Sequence, residues 1–199
     1  MNDSKEYILK MAFSLFITKG YKAVTLSDLE NATKLTKGAF YHYFKSKEEL
    51  FFEVIEKYYL NAYLTFEPTE KEQQTLEEFI NCTIQFIKNK MLLLRDITNE
   101  ETPDPYYITL LFEAKKHFPA LEEKIKDTFQ SQINQWEKAI VHAKNNGEIK
   151  SNLESYLLAE NFNAIGMSIV KNLLTSESTN STISKLHLQY EQLYKLIKK

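Results

Sequence analysis

Thr36, Lys37, Gly38 and Ala39 stand together at the head of a short helical stretch, Lys37 to about Phe44. Each residue type suits the wall or floor of a nucleic-acid groove. A threonine at the helix start can cap it and touch a phosphate, and a lysine reaches a phosphate or a guanine edge. Glycine lets backbone approach DNA closely, and alanine can lie against a thymine methyl. Tyr41, His42 and Lys47 follow where they can clasp the DNA backbone from the helix end and the next helix start. Leu26–Thr33, the turn Lys34-Leu35-Thr36 and Lys37–Phe44 have the lengths of a helix-turn-helix, whose second helix enters the major groove. A plain helical hairpin with Phe40, Tyr43 and Phe44 in its core fits the same spacing, so the pattern alone leaves both open.

Other reactive groups are scattered. Glu113 and His117 lie four apart on a helical stretch, a spacing that allows a shared metal or, more simply, a surface ion pair. Cys82 sits among Phe79, Ile80, Ile84 and Phe86, the setting of a buried inert thiol. His142 and His187 have no partners visible in the sequence. H-E-x-x-H, Walker and G-x-S-x-G patterns are all missing from the sequence. No catalytic residue, metal site or cofactor is therefore expected, and the chain reads as a non-enzyme.

Composition limits the scaffold that carries these groups. Four glycines and four prolines in 199 residues are too few for the turns of a sandwich or barrel. One cysteine excludes a disulfide framework within the chain. No apolar run is long enough to span a bilayer, and the N-terminal MNDSKEYILK mixes charges where a signal peptide needs an apolar stretch. A cytoplasmic location with no membrane partner is the expectation. The net charge of −2 hides an asymmetry: residues 1–47 hold eight lysines against Asp3, Glu6, Asp28 and Glu30. A basic head on an acidic body suits a polyanion at the head.

The elements that must position the head are short. Asp3 and Glu6 resemble a capping box before Ile8, Ala12, Leu15 and Phe16, and Gly20 suits a left-handed helix end. Thr25 with Asp28 opens a second helix, and Ser46 caps a longer one with Glu48 and Glu49 in its first turn. Beyond a polar connector at 65–74, Thr75 and Glu78 form another capping box. Pro105 and Pro119 open later helices, Gly147 closes one, and stripes at 153–174 and 183–198 complete the chain. About nine helices and no strand are predicted, an all-α fold.

The stretch GYKAVTLSDLENATKLTKGAFYHYFKSKEEL, residues 20–50, closely resembles the DNA-binding signature of the tetracycline-repressor (TetR) family. Gly20-Tyr21, Thr25, Asp28, Lys37-Gly38, Tyr41-His42-Tyr43-Phe44 and Ser46-Lys47-Glu48-Glu49-Leu50 stand in the family's order and spacing. The resemblance implies a helix-turn-helix domain at 1–46 and a helical ligand-binding and dimerisation domain at 47–199. It implies DNA contacts at Thr25, Thr36, Lys37, Gly38, Ala39, Tyr41, His42 and Lys47. The function it implies is a ligand-responsive repressor that binds a palindromic double-stranded operator as a homodimer. A helical small-molecule-binding or enzymatic chain of the same fold that has lost DNA binding is the alternative. Two residues depart from the family pattern. Lys34 stands where glycine is usual, and a left-handed backbone there costs about 1 kcal/mol or more. Glu30 stands where alanine is frequent, and its stem can snorkel outward. The head also lacks arginine, the commonest guanine reader, so an A·T-leaning operator is expected.

For the body, the family implies two helices per subunit in a four-helix dimer bundle. Their stripes offer Ile165, Gly166, Ile169, Leu186, Tyr190 and Leu193 to a second copy, although both stripes can also pack within one chain. A pocket for a small apolar or amphipathic ligand is expected among Phe86, Tyr107, Leu111, Phe112, Trp136 and Phe162. The same residues can simply fill a core.

Overall fold

Gly20 has φ 77° and ends the first helix, and its N–H donates to the Phe16 carbonyl at 2.9 Å. This is the left-handed helix end that glycine permits without a steric penalty. The computed structural model describes residues 2–61, 66–69, 71, 74–98, 106–150, 152–169 and 178–199. The side chains of Asn2, Asp3, Thr98 and residues 106–108 lie outside the description, and with them the Asp3–Glu6 box and Tyr107; Pro105 also lies outside. Among the described residues the chain forms nine helices and no strand, as the composition predicts. They are α1 (Asn2–Lys19), α2 (Leu26–Thr33), α3 (Lys37–Tyr43), α4 (Lys47–Ile55), α5 (Leu76–Thr98), α6 (Tyr106–His117), α7 (Ala120–Asn145), α8 (Ser155–Met167) and α9 (Thr179–Ile197). A π-helical turn, Glu56–Leu60, continues α4.

Two compact units divide the chain: Met1–Tyr63 with Leu94–Ile125, and Leu64–Leu93 with Lys126–Lys199. In the first unit Ile8, Phe13, Phe16, Leu29, Phe40 and Phe44 are buried in one cluster with Leu50, Phe51 and Val54 of α4. Leu94, Leu110, Ala114 and Leu121 join the same cluster, so packing runs on without a break at residue 46. Phe13 stacks on Tyr58 of the π turn at 4.2 Å, and ion pairs join Lys57 to Glu6 and Lys124 to Glu56.

Aromatic rings dominate the second unit. Trp136 of α7 stacks on Phe162 of α8 at 5.1 Å and on Tyr190 of α9 at 5.4 Å, while Phe79 of α5 meets it edge-on at 4.8 Å. The Thr75–Glu78 box caps α5, with Glu78 N–H donating to Thr75 Oγ1 at 3.1 Å and Thr75 N–H to the Glu78 carboxylate at 3.0 Å. The Glu148 carboxylate adds an acceptor for Leu76 N–H at 3.0 Å and for the Tyr194 hydroxyl at 2.8 Å. Burial and this carboxylate push the Tyr194 phenol up to about 12.

Gly166 has a reason inside this unit. A Cβ on it would stand 2.9 Å from Tyr190 Oη, so the glycine makes room for a phenol of its own chain. Leu186 and Tyr190 are fully buried in the unit's core, and Ile165 and Leu193 pack against it from partly buried positions. Leu186 and Tyr190 of the stripe assigned to a second copy are thus covered within one chain, while Ile165 and Leu193 are covered only in part and Ile169, two residues beyond α8, is half-buried. Leu157 of α8 and Leu188 of α9 are exposed.

Candidate nucleic-acid interface

The helix-turn-helix is set by its caps. Thr25 Oγ1 accepts the Asp28 N–H at 3.1 Å, and the Asp28 carboxylate accepts the Thr25 N–H at 2.9 Å. Lys19 reaches the same carboxylate at 2.6 Å. The Lys19 ammonium and the Thr25 hydroxyl hold the Asp28 carboxyl well below the usual carboxylate range. Thr36 Oγ1 accepts the Ala39 N–H at 3.3 Å and so starts α3, the second helix of the helix-turn-helix. Ser46 caps α4 in the same way through the Glu49 N–H at 3.2 Å. Each cap satisfies a donor that the helix itself leaves free, which fixes these boundaries from local chemistry.

The turn between α2 and α3 rests on the departure already noted. Lys34 adopts φ 59° and ψ 20°, the left-handed conformation, with a lysine where glycine would be unstrained. Thr33 stabilises the turn from within: its hydroxyl donates to the Leu29 carbonyl at 2.7 Å and accepts the Leu35 N–H at 3.3 Å. Glu30 is half-buried.

Behind the edge, Phe40 and Phe44 anchor α3 in the core. In front, Thr25, Thr36, Lys37, Gly38, Tyr41 and His42 are exposed, and Ala39 is half-exposed. A Cβ at Gly38 would meet nothing within 4 Å, so nothing in the chain itself requires a glycine there. Seven of the eight expected contact residues are therefore accessible at least in part. Lys47 has another use. Its ammonium donates to the carbonyls of Tyr21 at 3.0 Å and Val24 at 2.8 Å, and lies 4.6 Å from the centre of the Tyr21 ring.

Residues 8–54 match the family described as bacterial regulatory proteins, tetR family. That match covers the helix-turn-helix head. The HTH-type transcriptional regulator YerO of Bacillus subtilis (strain 168) is 43% identical over 58 residues, covering 29% of this chain and 20% of that protein. QacR of Staphylococcus aureus (strain Mu50), another HTH-type transcriptional regulator, is 35% identical over 78 residues, 39% of this chain and 37% of its own length. The match thus spans about a fifth to about a third of these two curated relatives. A solved SmeT–triclosan complex superposes with a TM-score of 0.71 over 99% of this chain and 92% of that one, at 17% identity. Sequence likeness to the family is concentrated in the head, whereas the body shares its fold.

The residues expected to line a ligand pocket divide between the units. Phe86, Trp136 and Phe162 belong to the aromatic cluster of the second unit, where Phe86 packs on Phe66 at 4.8 Å. Leu111 packs against the first unit's core and Phe112 is 70% exposed. Tyr21 is the residue whose weight the sequence did not reveal. It follows the helix-ending glycine, where a hydrophobic side chain regularly packs back on the helix, and its ring lies 5.9 Å from that of Phe16.

Proposed function

We propose that the chain is a ligand-responsive transcriptional repressor that binds a palindromic operator as a homodimer in the cytoplasm. The exposed edge of α3, with Lys37, Gly38, Tyr41 and His42 facing outward from a buried Phe40–Phe44 anchor, carries this reading. An edge built for its own fold would not keep a glycine where a side chain has open space. Residues 1–46 serve recognition and residues 47–199 serve ligand binding and self-association. Two-fold symmetry then places two recognition helices in successive major grooves. Without arginine in the head, Lys37, Ala39 and groove shape favour an A·T-leaning half-site.

A small apolar or amphipathic effector is supported by the fold shared with a protein solved with triclosan. Two buried polar atoms of the second unit, Gln132 Nε2 and Thr182 Oγ1, also have no hydrogen-bond partner among the described residues. Such an effector acts only by preferring a conformation that the operator does not. Matched relatives are regulators, and the chain reads as one rather than as an enzyme. Among the described residues no helix is long and apolar enough to cross a membrane.

The test is selection of bound fragments from source genomic DNA at about 150 mM salt, near physiological ionic strength. A palindrome should be recovered, and a Lys37→Ala, Tyr41→Ala variant should bind it about a hundredfold more weakly. Its thermal midpoint should stay put, because both side chains are exposed. Unchanged DNA affinity in that variant would sink the assignment in favour of a chain that has lost DNA binding.

A further inference from the structure

Glu113 and His117, four apart on α6, converge on Tyr21. The Glu113 carboxylate accepts the Tyr21 N–H at 3.0 Å, across 92 residues of sequence. His117 lays its ring 5.4 Å from the Tyr21 ring. Every other polar group of Tyr21 is held by α4: Lys47 donates to its carbonyl at 3.0 Å, and its hydroxyl donates to Glu48 at 3.2 Å. The ring also packs on Phe51 at 4.2 Å, and the residue is only 6% exposed. Tyr21 occupies the turn between Gly20, which ends α1, and Thr25, which starts the helix-turn-helix. One residue therefore ties the root of the DNA-binding head to α4 and α6 together.

The Glu113 carboxylate is unsuited to a DNA contact of its own. A carboxylate beside phosphate is repelled, and the Glu113 oxygen is already spent on a backbone donor. An ionised acceptor makes this bond roughly twice as strong as a neutral one. The Tyr21 N–H lies just past a helix end, in a part-buried turn where an unmade bond is expensive.

We propose that Glu113 is a positioning residue for operator recognition: by holding Tyr21 it sets the angle at which the helix-turn-helix leaves α1, and so the separation of the two recognition helices in a dimer. The inference rests on the operator reading above and deepens it, by naming a link that couples a body helix to DNA.

The experiment compares the wild-type protein with Glu113→Ala and Glu113→Gln on two DNAs, the selected palindrome and a single half-site. Glu113→Ala should lose about tenfold on the palindrome, the value of one charge-assisted bond. It should stay within about twofold on the half-site, since no DNA contact is removed. Selection from random sequence should show Glu113→Ala accepting neighbouring half-site separations that the wild type rejects. Glu113→Gln keeps a neutral acceptor oxygen and should recover part of the palindrome affinity, about threefold of the tenfold loss. The palindrome-to-half-site ratio cancels any loss of folded protein, so a destabilised variant is still informative. A wild-type ratio in Glu113→Ala, an equal loss on both DNAs, or no recovery in Glu113→Gln would each overturn the proposal. A wild-type protein that selects no palindrome overturns the operator reading itself, before any variant is made.

Discussion

The head and the body use similar residue types for opposite ends. In the head, the residues singled out for a partner lie outside the core, and Phe40 and Phe44 behind them are buried. In the body, the two most regular members of the stripe singled out for a partner, Leu186 and Tyr190, are fully buried within their own unit. Polar signals at helix starts are local and name their partner three residues away. An apolar stripe announces only that something covers it, and a neighbouring helix serves as well as a second copy.

The largest effect sharpens the body's side of this contrast. If Trp136 is core, with Phe162 and Tyr190 stacked against it, Trp136→Ala should cost about 3–5 kcal/mol of stability. If it lined an open ligand cavity, much of that cost would vanish, because solvent already reaches the space. Urea unfolding followed by far-ultraviolet circular dichroism separates the two, since Trp136 is the chain's single tryptophan and cannot report on its own removal. A loss below about 1 kcal/mol would move Trp136 from core to site.

Gly166 tests the stripe directly. A methyl placed 2.9 Å from Tyr190 Oη must push the phenol aside, and overpacking of this kind costs about 1–3 kcal/mol. Tyr190→Phe removes the oxygen and should restore most of the loss in the double variant. If Gly166 instead meets a second copy, Gly166→Ala weakens the dimer and Tyr190→Phe brings no rescue. Sedimentation equilibrium beside thermal unfolding tells these apart.

The fold was legible where chemistry is short-ranged. Thr25–Asp28, Thr36, Ser46 and Thr75–Glu78 all cap the helices that their spacing predicts, and Gly20 and Gly147 take positive φ at the helix ends they mark. Of the eight candidate contact residues, seven are accessible at least in part and have no partner in the chain beyond helix caps and the Phe40–Tyr41 and His42–Tyr43 ring contacts. The eighth, Lys47, differs, because its partners are backbone carbonyls that no sequence pattern displays. Glu113 and His117 carried a visible spacing, but their shared neighbour Tyr21 lies 92 residues before Glu113. Long-range contacts of that kind depend on how helices pack, which helical periodicity leaves undetermined.

The smallest effect bears on the head, and its two halves have opposite signs. Gly38 lies within α3 at a helical backbone angle, and a side chain there meets open space. Alanine loses less conformational freedom than glycine on entering a helix, so Gly38→Ala should stabilise the protein by about 0.5–1 kcal/mol. The same methyl would stand between the α3 backbone and the groove floor and should weaken operator binding. A variant that melts higher and binds DNA less tightly would show that the position is shaped by its partner rather than by its fold. Should both quantities rise together, the backbone of α3 does not approach DNA at residue 38, and recognition must lean on Lys37 and Tyr41 instead.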